Sequence, residues 1–267
     1  MLLRHLLLCL SLLLPLPAFA CGGTEFCATS TGRYLLSLPD GPPQGAVVFL
    51  HGHGGSAEGS MRNREMAEAV LGRGYALAAA EGMPRGRGNG NSWAFRGGGR
   101  DEPGYFAELF TQLAERHGVP RDRILMAGFS AGGFMTSYLA CAEPGIARGF
   151  APVSGGFWRP MPESCAGPVR LFHTHGWSDR TVPLEGRYLG NAGAAQGDIF
   201  AGMELWRQAN GCDAMRPDQI TAEGPFWRRS WTGCTPGSSL EFALFPGGHM
   251  VPPGWAGMVL DWFEALP

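Results

Sequence analysis

There is no lysine anywhere in this chain: all 21 basic residues other than histidine are arginine. The absence reads as a bias of coding composition rather than a functional device. An excess of charge is also lacking, the formal net charge being −2 over 267 residues. Proteins that hold nucleic acid carry a basic stripe or patch. Nothing here supplies one, so neither a nucleic acid nor an acidic polymer is an expected partner. Apolar runs long enough to cross a bilayer are missing as well. The longest, Leu6 to Leu14, is followed by Pro15 and Pro17 and falls short of the roughly 20 residues a membrane helix needs. Repeats and low-complexity linkers are absent too, and the length suits one sizeable domain with its own core.

What is present at the N-terminus has the form of a targeting segment. Arg4 and His5 give a positive start, and Ala18-Phe19-Ala20 closes the apolar run with a small-x-small cleavage site. Residues 1–20 are therefore expected to be a cleavable signal peptide, with 21–267 as a single domain. The destination is the periplasm or the medium, without stable membrane insertion after cleavage. Cys21 directly after the cut opens an alternative, acylation as a lipoprotein anchor, which would strand Cys27. Losing Cys9 with the leader leaves Cys21, Cys27, Cys141, Cys165, Cys212 and Cys234. An even number in an oxidising compartment fits three disulfides, for which fifteen connectivities exist. Nearest neighbours in sequence give Cys21–Cys27, Cys141–Cys165 and Cys212–Cys234.

Along the mature chain, short apolar runs alternate with amphipathic stretches, the pattern of a mostly parallel sheet flanked by helices. The runs predict strands over Tyr34 to Leu38, Ala46 to Leu50, Tyr75 to Ala80, Arg123 to Ala127, Gly149 to Val153, Val169 to His173 and Leu240 to Phe245. Several are apolar throughout, as strands buried on both faces are. Helices are expected over Gly59 to Leu71, Pro103 to His117, Gly132 to Cys141, Ile199 to Asn210 and Trp255 to Ala265. Only one helix is legible between Thr181 and Ser239.

Gly128-Phe129-Ser130-Ala131-Gly132 is a G-x-S-x-G string between a predicted strand and a predicted helix. That context is what a nucleophile elbow of the α/β-hydrolase fold requires. The turn strains the serine backbone, and glycine on either side removes the Cβ atoms that would collide. Ser130 is the expected nucleophile. A hydroxyl needs a base, and the base needs a group to hold its tautomer. In this fold the chain order is serine, acid, histidine. His249 follows the last predicted strand and is the only histidine after residue 175. Asp179 sits in a loop beyond the Val169 to His173 strand, whereas Glu185 and Asp198 lack that placement. His173 and His175 precede the acid and are expected to pack or hydrogen-bond rather than act as base.

Acyl transfer also needs backbone N–H groups aimed where the carbonyl oxygen becomes negative. His51-Gly52-His53-Gly54-Gly55-Ser56 follows a strand and can bend an amide toward the cleft. The amides of His53 and Ala131 are the expected oxyanion donors. His51 and His53, with no nearby carboxylate or cysteine partner, make a poor zinc set, and no metal or organic cofactor is implied.

Together these motifs resemble the secreted poly(3-hydroxybutyrate) depolymerase and feruloyl esterase group of α/β hydrolases. The resemblance rests on the loop at His51, the segment Asp122-Arg123-Ile124 through Gly133, the loops at His175 to Asp179 and Gly248-His249, and Trp206 with Asn210-Gly211-Cys212 and Cys234. It implies a serine carboxylic ester hydrolase acting on hydroxyalkanoate oligomers or hydroxycinnamoyl esters, a small-molecule or oligomeric substrate. His53 departs from the smaller or thiol residue expected in that loop.

About fifteen residues separate Val153 from Val169, where this fold commonly inserts its lid, so a minimal lid and an open cleft are expected. Trp93 and Trp158 are candidate aromatic walls for the substrate. Arg85, Arg87, Arg96 and Arg100 form either a solvated loop or a carboxylate-binding set. Two other functions share the fold, a serine peptidase of prolyl-oligopeptidase type and a non-catalytic binding protein. Oligomeric state is not legible.

Overall fold

Valine, leucine, phenylalanine and alanine alternate their side chains across a pleated strand, so an all-apolar strand must be covered on both faces. Gly45–Leu50 is buried throughout, with Ala46, Val48 and Leu50 in one cluster and Val47 and Phe49 in the other. The computed structural model describes residues 21–266 except 87, 89, 191 and 192. The expected leader over 1–20, with Arg4, His5, Cys9 and its cleavage site, lies outside the described residues, as does Arg87.

A ten-stranded sheet organises the domain. Its order runs Cys27–Ala28, Arg33–Ser37, Tyr75–Ala80, Gly45–Leu50, Ile124–Phe129, Gly149–Val153, Arg170–Gly176, Ser239–Phe245, Phe226–Trp231, Gln219–Glu223. The six central strands from Tyr75–Ala80 to Ser239–Phe245 are parallel, and antiparallel strands close both edges. Helices Glu102–His117, Ala131–Ala142 and Ile199–Ala209 cover one face; Arg64–Gly72 and Trp255–Glu264 cover the other.

Local signals set the helix ends. Asp101 accepts from the Gly104 amide at the start of Glu102–His117, and Gly118 ends it in the left-handed region at φ 68°. The single helix expected over Gly59 to Leu71 is two helices, Ala57–Met61 and Arg64–Gly72. Asn63 causes the break, because its side chain caps the second helix through the Met66 amide at 3.2 Å.

Among the described residues, the stretch from Thr181 to Ser239 holds the one expected helix, Ile199–Ala209, and several short strands besides. Gln219–Glu223 and Phe226–Trp231 form an antiparallel hairpin on the sheet edge. Tyr188–Leu189, Ala194–Gln196 and Trp158–Arg159 form a separate three-stranded sheet. Disulfides join Cys21 to Cys27, Cys141 to Cys165 and Cys212 to Cys234. The second ties the end of the Ala131–Ala142 helix to the loop entering Arg170–Gly176, and the third ties the segment after Ile199–Ala209 to the loop before Ser239–Phe245.

Candidate active site

The chain turns sharply between Ile124–Phe129 and Ala131–Ala142, leaving Ser130 at φ 56° and ψ −116°. Such a backbone is costly for any residue with a Cβ and persists only where its surroundings fix it. The Ser130 amide donates to Val153 O at 2.9 Å, and Ser130 O accepts from the Phe134 amide at 2.9 Å. A Cβ on Gly128 would overlap the Gly132 carbonyl, and one on Gly132 would overlap the Leu50 carbonyl. Both glycines are required by close approach.

Two loops at the same sheet edge carry the other side chains. Trp177 N donates to Phe245 O at 3.1 Å and Ser178 N to Gly247 O at 3.0 Å. The loop holding Asp179 is thereby stapled to the loop holding His249. His249 Nε2 lies 2.8 Å from Ser130 Oγ, and its Nδ1 lies 2.7 Å from Asp179 Oδ2. The imidazole also packs on Phe129, with ring centroids 4.7 Å apart.

Asp179 is buried at 4% exposure, yet fully hydrogen-bonded. Its Oδ1 accepts from the amides of Thr181 and Val182 at 2.9 and 2.8 Å. Burial pushes its carboxyl up, but the His249 hydrogen bond, the Val182 amide and the charges of His249 and His175 together bring it below the usual aspartate value. The carboxylate form that can hold an imidazolium is therefore the stable one.

The loop at Gly52 and His53 lies against the elbow. Gly52 packs against the elbow, where a Cβ on it would sit 3.2 Å from the Phe129 ring and 3.4 Å from Ser130 Cβ. His53, Ser130 and Ala131 border one cleft. Among the described residues, neither the His53 amide nor the Ala131 amide has a hydrogen-bond acceptor. The imidazole of His53 points outward and meets Arg85. His51 braces the loop from inside: its Nδ1–H donates to Gly52 O at 2.7 Å and its Nε2 accepts from the Gly82 amide at 3.0 Å. Burial lowers its pKa, which keeps this neutral tautomer.

The cleft has a volume of about 310 Å³. Phe95, Phe134 and Trp158 make one wall, with Phe95 stacked on Phe134 at 5.5 Å and on Trp158 at 6.3 Å between centroids. Trp158, one of the two candidate aromatic walls, lines this cleft. Trp93 does not. It is 6% exposed, packs at a tilt against His51 and Phe106, and donates its Nε1–H to His51 O at 2.8 Å. Trp93 is a core residue that supports the loop at residues 51–53.

The small sheet that carries Trp158 also lines the cleft through Leu189 and Gln196, with Thr181, Val182 and Arg187 nearby. Sequence reasoning missed these residues, since strands of two or three residues carry no periodicity. Phe134 was findable, lying one helical turn beyond Ser130. The described arginines of the run read as a solvated loop or a carboxylate-binding set are dispersed. Arg100 is buried against Glu102 at 2.8 Å, Arg96 lies 4.8 Å from the Trp158 ring, and Arg85 meets His53.

A family model described as phospholipase/carboxylesterase matches residues 104–192. The chain is 31% identical over 152 residues to putative esterase NocK of Nocardia uniformis, across 56% of this chain and 44% of that protein. It is 26% identical over 230 residues to feruloyl esterase C of Emericella nidulans, across 81% of this chain and 76% of the relative. Among solved structures, an acetyl xylan esterase from Aspergillus awamori superposes with TM-score 0.64 at 16% identity, covering 87% and 93% of the two chains. A Bacillus cereus carboxylesterase gives 0.58 at 14% identity, covering 89% and 96%. These structural likenesses speak to the fold.

Proposed function

For a chain that is an esterase-like α/β hydrolase, we propose hydrolysis of carboxylic esters through an acyl-enzyme on Ser130, with hydroxycinnamoyl esters as the substrate class. The observation that carries the reading is His249, in hydrogen-bond reach of both Ser130 and Asp179. Ser130 Oγ attacks the ester carbonyl while His249 Nε2 takes its proton. Asp179 holds Nδ1–H and stabilises the imidazolium. The oxyanion then faces the amides of His53 and Ala131. His249 returns the proton to the departing alkoxide, and a water activated by the same ring releases the acid.

The choice of acyl group rests on the aromatic wall of Phe95, Phe134 and Trp158, which suits a flat ring better than a short aliphatic unit. Relatives named feruloyl esterase support it. The three disulfides support an oxidising compartment, and secretion by a leader over residues 1–20 accords with them.

The test is an ester panel on the wild-type and Ser130→Ala proteins: methyl hydroxycinnamates, p-nitrophenyl acetate and hydroxybutyrate oligomers. The reading expects turnover of hydroxycinnamates, reduced at least about a thousandfold in the variant. Equal turnover by the variant, or peptide cleavage without ester cleavage, would overturn it.

A further inference from the structure

One feature of the cleft lies outside the catalytic chemistry. Gln196 lines the cleft, is only 5% exposed, and among the described residues its Oε1 has no hydrogen-bond partner. Trp158 lines the same cleft, and its Nε1–H is likewise buried without a partner. The two residues are directly opposite one another in the small antiparallel sheet. Cross-strand partners project to the same face with Cβ atoms about 4.5–5.5 Å apart, so the side chain with the unpaired acceptor and the one with the unpaired donor are neighbours.

Their backbones are well held. The Gln196 amide donates to Arg187 O at 2.8 Å, and the Trp158 amide donates to Tyr138 Oη at 3.0 Å. The missing partners are therefore confined to the side-chain heads. Native proteins rarely leave such groups unmet, so each one calls for a specific explanation. A hydroxyl meets both needs at once: its proton goes to Gln196 Oε1 and its lone pair takes Trp158 Nε1–H.

We infer that Gln196 and Trp158 form a subsite that reads a hydroxyl on the acyl group, selecting aromatic acids with a ring hydroxyl over the bare ring. This rests on the esterase reading above. Discrimination follows because an acyl group lacking the hydroxyl leaves two buried polar heads unpaired, a situation binding sites reject strongly.

The test compares kcat/KM for methyl 4-hydroxycinnamate and methyl cinnamate. The wild-type protein should favour the hydroxylated ester by about tenfold or more. Gln196→Met should bring the ratio close to one, while Gln196→Glu, which keeps an acceptor oxygen, should retain most of it. Trp158→Phe should lower the ratio while preserving the stack with Phe95. Equal turnover of both esters by the wild-type protein, or an unchanged ratio in Gln196→Met, overturns the subsite and leaves ester hydrolysis standing.

Failure on every ester, p-nitrophenyl acetate included, strikes the parent reading instead. Binding of the two free acids, followed by tryptophan fluorescence, then decides the subsite separately. Tighter binding of 4-hydroxycinnamate that Gln196→Met abolishes supports it, and equal binding overturns it.

Discussion

His175 donates its Nε2–H to the carbonyl of Val182 at 2.8 Å while standing 3.6 Å from Oδ2 of Asp179. A carbonyl only accepts, so Nε2 carries the proton and Nδ1 is left to accept from His173 Nε2–H at 3.0 Å. The Val182 amide in turn holds Asp179 Oδ1. Two buried histidines thus fix the loop that fixes the acid.

Removing this brace should loosen Asp179 without touching substrate. In His175→Leu, Val182 O and His173 Nε2–H lose their partner, at a cost of about 2–4 kcal/mol in stability. Activity should fall roughly tenfold in kcat with little change in KM, because the acid's orientation matters most in the transition state. Urea unfolding and steady-state kinetics on the same preparation check both. A change in KM alone would mean that the histidine pair serves the cleft rather than the acid.

The same pair gives stability a pH dependence. Burial, reinforced by His175, drives the His173 pKa well below the ordinary histidine value. Burial also lowers that of His175, outweighing the Val182 carbonyl and Asp179. As pH falls below about 6.5, the unfolded chain takes up protons that the folded chain refuses, so stability falls with it. Each histidine contributes at most about 1.4 kcal/mol per pH unit over that window. Asp179 acts separately: its depressed pKa adds stability above the ordinary aspartate value, lost as pH drops through its folded pKa. The urea midpoint should be lower at pH 5.5 than at 7.5, and His173→Phe should narrow the difference. An identical midpoint at both values would contradict the buried neutral pair.

Trp93 and Trp158 should part company under mutation. Trp93→Phe leaves His51 O without its donor, costing about 1–3 kcal/mol, and should leave selectivity between acyl groups intact. Trp158→Ala removes a cleft wall and should raise KM for aromatic esters more than for acetate. Thermal melts and the two KM values distinguish them. A selectivity change in Trp93→Phe would place that ring in the cleft after all.

Much of this was legible because buried parallel strands and the elbow write themselves plainly into sequence. Ala46, Val48 and Leu50 pack one face while Val47 and Phe49 pack the other, which produces the apolar run. Gly128 and Gly132 are demanded by sterics that no other residue satisfies. The edge hairpin was hidden for the opposite reason. Gln219–Glu223 is exposed at every position, so no burial pattern marks it. Trp93 misled because a tryptophan on a loop looks available, whereas its ring is enclosed by His51 and Phe106. Gln196 carried no signal, since its meaning comes from Trp158 opposite it in a three-residue strand.

Covalent labelling with a fluorophosphonate tests the central claim most directly. Such probes phosphonylate a serine only where a base and oxyanion donors already act on it. Intact mass should rise by one adduct, peptide mapping should put it on Ser130, and His249→Ala should abolish the labelling. An unlabelled wild-type protein, or an adduct on another serine, would contradict the account.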